Sequence, residues 1–278
     1  MMKLERSCFS LRTSYALAVA AVLAVLPGCT SGGSSSDETT SGGVNGNGND
    51  AGDGKGGDTN VKASAYVAAG SIVDTRGKPL SNVEVVVDNQ ARYDANVLGT
   101  SGSDGRYRIE LPHDPTTWHV TATHYVEYHG TTYSFPLHPS DDSVFAGDTG
   151  GIRNFEWKLT GTRPDDGFYG AFVVGYTEPA DFSFDLKDVE LTLTPDGPIV
   201  DGSAGETITG KLVSTADGEA LQDIPLGRYT ITAKVGDKSL VARIRNGGTT
   251  YENQVTSDFA APYGSLPIYN IELELKLP

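Results

Sequence analysis

Five histidines, all between His113 and His138, form the densest set of chemistry-capable side chains in this 278-residue chain. Neutral imidazole is a common metal ligand, and Glu127, Asp141, Asp142 and Asp148 lie close by in sequence. His119, His124 and His129 are therefore the candidate metal ligands. Their spacing fits no zinc signature. In an extended strand His119 and His124, an odd number apart, face opposite sides. His129 precedes a glycine at a turn, so the same histidines also read as surface and rim residues. Oxygen-rich turns such as Asp141-Asp142-Ser143, Asp196-Gly197 and Asp201-Gly202 could hold calcium. They lack EF-hand spacing, and turn chemistry accounts for aspartate there without an ion. A hydrolytic site is short of parts: residues 164–278 contain no histidine, and there is no Gly-x-Ser-x-Gly elbow.

Aromatic side chains offer a second route to function, because exposed rings stack on sugars and anchor protein interfaces. Tyr125, Tyr128 and Tyr133 are the candidate ligand-binding set, expected to be exposed and off the core parity. Trp118 and Trp157 share parity with apolar neighbours and are expected to fill a core. No catalytic residue and no cofactor are assigned.

The elements that must carry these side chains are strands. Val83, Val85 and Val87 alternate with polar residues, as do Tyr229, Ile231, Ala233 and Val235. Ile271, Leu273, Leu275 and Leu277 alternate with Glu272, Glu274 and Lys276. This is the half-buried strand pattern. Asp104-Gly105, His129-Gly130, Asp166-Gly167, Asp196-Gly197, Asp217-Gly218, Gly236-Asp237 and Asn246-Gly247 punctuate it as turns. Many short strands with regular turns mean a sandwich or barrel. Within the alternation, Phe155, Trp157, Leu159 and the four apolar residues from Ile271 to Leu277 are expected to face a core. Glu156, Lys158, Glu272, Glu274 and Lys276 are expected to face water.

The first 28 residues have the parts of a signal peptide: Lys3, Arg6 and Arg12, then an uncharged apolar run from Tyr15 to Leu26. That run is shorter than the roughly 20 residues needed to span a bilayer. It ends in Leu26-Pro27-Gly28-Cys29, which resembles the lipobox of bacterial lipoproteins. The resemblance implies cleavage after Gly28 and a lipid on Cys29, hence a cell-envelope protein held to the membrane by acyl chains. The site would be the outer membrane in a Gram-negative cell and the outer face of the cell membrane in a Gram-positive one. Cys8 would leave with the signal peptide, so the mature chain would have no free thiol and no disulfide. Residues 29–62, almost devoid of apolar side chains, are expected to be a disordered tether, with an r.m.s. reach on the order of 30 Å.

Residues 63–278 contain an internal repeat. Asn82-Val83-Glu84-Val85 matches Asp188-Val189-Glu190-Leu191. Leu111-Pro112 followed by Trp118-His119-Val120-Thr121-Ala122 matches Ile224-Pro225 followed by Tyr229-Thr230-Ile231-Thr232-Ala233. Gly130-Thr131-Thr132-Tyr133 recurs as Gly248-Thr249-Thr250-Tyr251, and Ile152 to Leu159 is echoed by Ile268 to Leu275. Two related β-domains are expected, 63–163 and 164–278, with a seam near Gly161 to Gly167. The first resembles the carboxypeptidase regulatory-like domain, through Gly70-Ser71-Ile72-Val73-Asp74, Gly77-Lys78-Pro79-Leu80, Asp104-Gly105-Arg106-Tyr107 and Leu111-Pro112. That family implies a noncatalytic, transthyretin-like Greek-key sandwich.

The net charge is −15, which repels nucleic acid and anionic headgroups. Residues 164–278 hold 18 acidic and 8 basic side chains, a net of −10, against −4 for residues 63–163. The expected architecture is all-β: two tandem transthyretin-like or Ig-like Greek-key β-sandwiches after a signal peptide and tether. The expected role is noncatalytic binding or scaffolding at the envelope, toward an extracellular polysaccharide or an envelope protein, with the membrane engaged by lipid. The alternatives are a metal- or calcium-dependent accessory module and, behind it, an envelope hydrolase.

Overall fold

The computed structural model describes residues 62–164, 166–179, 181, 183–262, 264 and 266–278. The expected signal peptide, Cys29 and nearly all of the expected tether lie outside them. The chain is all-β, built as two successive nine-stranded sheets. The first comprises β1 (Val67–Asp74), β2 (Glu84–Asn89), β3 (Val97–Thr100), β4 (Arg106–Glu110), β5 (Thr117–Tyr128), β6 (Thr131–Pro139), β7 (Phe145–Ala146), β8 (Gly151–Ile152) and β9 (Phe155–Trp157). The second comprises β10 (Ala171–Thr177), β11 (Val189–Pro195), β12 (Ile208–Lys211), β13 (Val213–Thr215), β14 (Gly218–Ile224), β15 (Arg228–Val235), β16 (Lys238–Ile244), β17 (Val255–Asp258) and β18 (Asn270–Lys276). Among the described residues a 3-10 turn, Leu186–Asp188, interrupts the strands of the second.

The two sheets have the same Greek-key topology. The first runs β3-β2-β5-β6-β9-β1-β4, with β7 on β5. The second runs β12-β11-β15-β16-β18-β10-β14-β13, with β17 on β15. In each, the opening strand lies parallel to the last one: Ile72 pairs with Phe155, and Val173 with Ile271. The repeat thus resides in the strand order as well as in the sequence. One of the four sequence matches dissolves, however. Gly130 to Tyr133 turns into and begins β6, whereas Gly248 to Tyr251 lies in the loop after β16. The true counterpart of the His129-Gly130 turn is Gly236-Asp237, between β15 and β16.

Each sandwich closes toward a barrel at a glycine. Gly99 pairs with Val85, and Gly210 pairs with Leu191 at the equivalent place. A Cβ on Gly99 would stand 2.7 Å from Ile109 Cδ1, and one on Gly210 2.6 Å from Leu221 Cδ1. A side chain at either place would have to displace Ile109 of β4 or Leu221 of β14. In the second half β12 and β13 are separated by Leu212 alone and pair with β11 and β14 respectively. One bent strand therefore joins both faces.

The residues that carry the family resemblance have a local explanation. Asp74 Oδ1 accepts hydrogen bonds from the amides of Arg76 and Lys78, both at 2.9 Å, and shapes the turn to Pro79. Burial would raise its carboxyl pKa, but those bonds and Arg76 outweigh it and hold the pKa below the ordinary value. Gly105, at φ 73°, brings its backbone against Ile72 and Pro79.

The alternation expected from sequence holds for Phe155, Trp157, Ile271, Leu273 and Leu275, which are buried. Glu274 is a correction. It is 6% exposed, not a solvent residue. The loop after β16, pinned by the Ala242–Glu252 bridge, brings Tyr251 to the outer side of β18. Glu274 Oε1 accepts from Arg243 Nη2 at 2.8 Å and from the Tyr251 hydroxyl. Burial would raise the carboxyl pKa, yet these partners hold it below the usual value.

Candidate functional site

The β5–β6 hairpin carries most of the side chains singled out by sequence, and it leads away from the first sandwich. Its loop is two residues, His129 and Gly130, at φ 49° and 78°. Positive φ at both positions is the type I′ signature that matches strand twist. The hairpin docks on the second half. Tyr133, expected to be exposed, is 1% exposed. Its hydroxyl donates to Phe259 O at 2.7 Å, and burial pushes its pKa up to about 12. The Tyr128 hydroxyl donates to Pro198 O at 2.9 Å and accepts from the Arg228 amide at 3.0 Å; burial raises its pKa too. From the other side, the Tyr269 hydroxyl accepts from Ser134 N at 2.8 Å and donates to Ser134 O at 3.1 Å. Tyr128 and Tyr133 therefore serve the joint between the two halves.

The histidines are dispersed. His129 Nδ1 lies 2.7 Å from Asp258 Oδ1, and Asp258 Oδ2 also takes Arg228 Nη1 at 2.7 Å. His119 Nε2 meets Asp142 at 2.8 Å. The His124 ring packs edge-on against Trp157, centroids 4.7 Å apart. Burial lowers the His124 pKa. His113 stacks on Tyr66, and His138 meets Tyr169 edge-on at 5.4 Å. Among the described residues no three histidine, cysteine or acidic side chains converge as a metal site. The turn aspartates are engaged as caps: Asp141 accepts from Ser143 N, and Asp201 from Ser203 N, both at 2.9 Å.

What the hairpin builds is a cleft of ≈ 250 Å³ along the seam. Ser134 and Pro136 from β6 line it on one side, and Ile268 and Tyr269 on the other. The connection between the halves forms its own small hairpin: Thr162 bridges Phe168, and Arg163 N donates to Gly167 O at 3.0 Å. That hairpin contributes Arg163, Asp166, Phe168 and Tyr169 to the lining. Arg163 and Lys158 both lie over the Tyr169 ring at 5.7 Å. Tyr125 is 50% exposed and pairs across the strands with Ser134, a residue of the cleft lining. It is the one sequence-selected tyrosine left accessible. Burial raises its pKa, with Glu84 and Tyr269 adding to the rise. Phe168, Tyr169, Leu266 and Ile268 were not selected by sequence reasoning, since they sit in segments without alternation.

No protein-family model matches the chain, and no curated protein matches it. Among solved structures, the Bacillus anthracis TIE protein is similar at 16% identity and TM-score 0.32, over 76% of this chain and 34% of that one. This chain thus spans about a third of that protein's length. Shaft pilin spaA from Lactobacillus rhamnosus GG gives 10% identity and TM-score 0.26, over 77% of this chain and 99% of the pilin. A single B repeat unit of the collagen-binding surface protein of Staphylococcus aureus gives 14% and 0.20, over 78% and 99%. None of these likenesses is deep enough to pass a function to this chain.

Proposed function

We propose that this chain is a noncatalytic envelope module, anchored through lipid on Cys29, whose paired β-sandwiches present a binding or scaffolding surface to an extracellular polysaccharide or an envelope protein. The first sandwich is read as a carboxypeptidase regulatory-like domain on the Gly77-Pro79 and Asp104-Gly105 turns described above. The observation that carries the proposal is the seam cleft: a recess made jointly by both halves, with accessible aromatic and aliphatic side chains around a polar lining. Such recesses are the default place for a ligand. The dispersal of the histidines favours this reading over a metal-dependent one.

The test uses the full lipidated chain in detergent micelles, immobilised and challenged with envelope material separated into a polysaccharide fraction and a protein fraction. Saturable retention of one fraction is expected. Retention of neither, by a correctly folded chain, would refute a binding role.

A further inference from the structure

We propose that the seam cleft receives an apolar or aromatic side chain borne on a basic segment of a partner protein. The inference rests on the binding role proposed above and commits it to one kind of ligand. The first support is where apolar surface is left uncovered. Eight large hydrophobic side chains are exposed among the described residues; this cleft is lined by two of them and flanked, in sequence or in strand pairing, by two more. Phe168 and Ile268 line it; Leu266 is two residues from Ile268, and Tyr125 is the cross-strand neighbour of Ser134 in its wall. Scattered exposed hydrophobics are ordinary, but a contiguous group marks an interaction site.

The second support is an internal control supplied by the repeat. The outer face of β12, β11, β15 and β17 carries Thr209, Thr192, Thr194, Thr230, Thr232 and Thr256 in register. Thr192 and Thr209 meet through their hydroxyls at 3.2 Å, and Thr230 and Thr256 at 2.8 Å. The second half thus has a polar outer sheet face; of its exposed aliphatic residues, Val213 lies on β13, and Leu266 and Ile268 precede β18, where Ile268 lines the cleft.

Charge and chemistry narrow the partner. The second half has a net charge of −10, and three acids, Asp166, Asp217 and Asp223, line the cleft against two cations, Lys158 and Arg163. Lys158 is paired with Glu156 at 3.3 Å, and both cations lie over the Tyr169 ring. A basic flank is attracted to such a surface and an acidic one repelled. Leu266 and Ile268 have no flat π face to stack on a sugar ring, whereas they pack well against a leucine or phenylalanine side chain. Anchors of that kind, seated in a pocket, dominate protein interfaces.

The experiment measures fluorescence anisotropy of a labelled peptide with a Leu-Phe core between lysine pairs, titrated with the full lipidated chain in micelles. A second peptide carries glutamate pairs instead. The lysine peptide is expected to bind saturably and at least about tenfold more tightly than the glutamate peptide. Phe168→Ser and Ile268→Ser are each expected to weaken it about tenfold, as loss of a central anchor does. Both residues are exposed, so the fold should survive, and thermal melting verifies it. Thr232→Ser, on the threonine face, should change nothing. Binding by Phe168→Ser and Ile268→Ser equal to the parent's, equal binding of the two peptides, or a neutral oligosaccharide binding in a Phe168-dependent way would overturn the proposal. Retention of envelope material that ignores Phe168→Ser would defeat this inference and leave the binding role standing.

Discussion

Glu274 is where the structure departs most sharply from the pattern of its own strand, and replacing it gives a measurable consequence. In Glu274→Leu, Arg243 loses the carboxylate it donates to at 2.8 Å, and the Tyr251 hydroxyl loses its acceptor. The Glu274 side chain is 8% exposed and that of Arg243 25% exposed. Breaking a buried pair by removing one partner costs about 3–5 kcal/mol, because the other charge stays desolvated. Arg243 is a quarter exposed and keeps its bond to Gly248 O, so the loss is that of a hydrogen bond to a charged group, about 1.5–3 kcal/mol. For a folded region of this size each kcal/mol shifts Tm by about 2–4 °C, so melting should fall by about 3–12 °C. Glu274→Lys should be worse, since it sets a second cation beside Arg243. Arg243→Met combined with Glu274→Leu should recover most of the loss, because an apolar pair replaces an ion pair at little cost. The sign with pH is also fixed. The folded carboxyl pKa lies below its ordinary value, so its stabilisation is present above the ordinary carboxylate range and fades as pH falls through the folded value. The variant should lack that component. Differential scanning calorimetry across pH reads all three effects. A Glu274→Leu chain melting within about 2 °C of the parent would show that Glu274 behaves as an ordinary surface acid.

Three further outcomes are expected. Gly99→Val sets side-chain carbon against Cδ1 and Cγ1 of buried Ile109, and should destabilise by about 1–3 kcal/mol as overpacking does; Gly210→Val meets the movable tip of half-buried Leu221 and should cost less, both read from urea midpoints. The His124 pKa is lowered by burial, so its native state resists protonation. Stability should be full above about pH 6.5, the unfolded histidine value, and decline as pH falls through the lowered folded value. His124→Leu should flatten that decline in a pH series of thermal melts. Cys29→Ser should move the protein from the membrane fraction to the soluble one; continued sedimentation with membranes, at unchanged processing, would remove the lipid anchor.

Much of the architecture was legible because strands declare themselves by period two. The face of β18 with Ile271, Leu273 and Leu275 packs inward as its alternation requires. What alternation cannot register is a loop from elsewhere in the chain lying over the outer face, and that is the fate of Glu274 beneath Tyr251. Tyr133 is a different kind of miss. It shares parity with Phe135 and Leu137, both buried, so the signal was present in the local sequence. The repeat shows the same division. Val97-Leu98-Gly99-Thr100 and Ile208-Thr209-Gly210-Lys211 are equivalent in pairing, with glycine at the same place, and would have been a sounder match than Gly130-Thr131-Thr132-Tyr133 with Gly248-Thr249-Thr250-Tyr251. The second match rests on composition in a loop; the first on a steric requirement. The cleft was not legible, because its walls come from β6, the connection after β9 and the loop before β18.

The duplicated topology also explains why one half reaches for the other. β5 is 12 residues and its counterpart β15 is 8. The β5–β6 ladder has seven residue pairs, from Ala122–Leu137 to Tyr128–Thr131, where β15–β16 has three. Four additional residues add roughly 13 Å of strand. That length carries Tyr128, His129 and Tyr133 to Pro198, Asp258 and Phe259 of the second half. In the second half the hairpin instead turns at Gly236-Asp237, both exposed. Extending one hairpin of a duplicated fold therefore has two effects at once. Its tip is converted into a joint, which accounts for the tyrosines and histidine that local sequence alone assigned to a ligand. Its outer face, at Ser134 and Pro136, becomes a wall of the cleft that the joint holds in place. The wall of the recess and the engagement of Tyr128, His129 and Tyr133 have one structural cause.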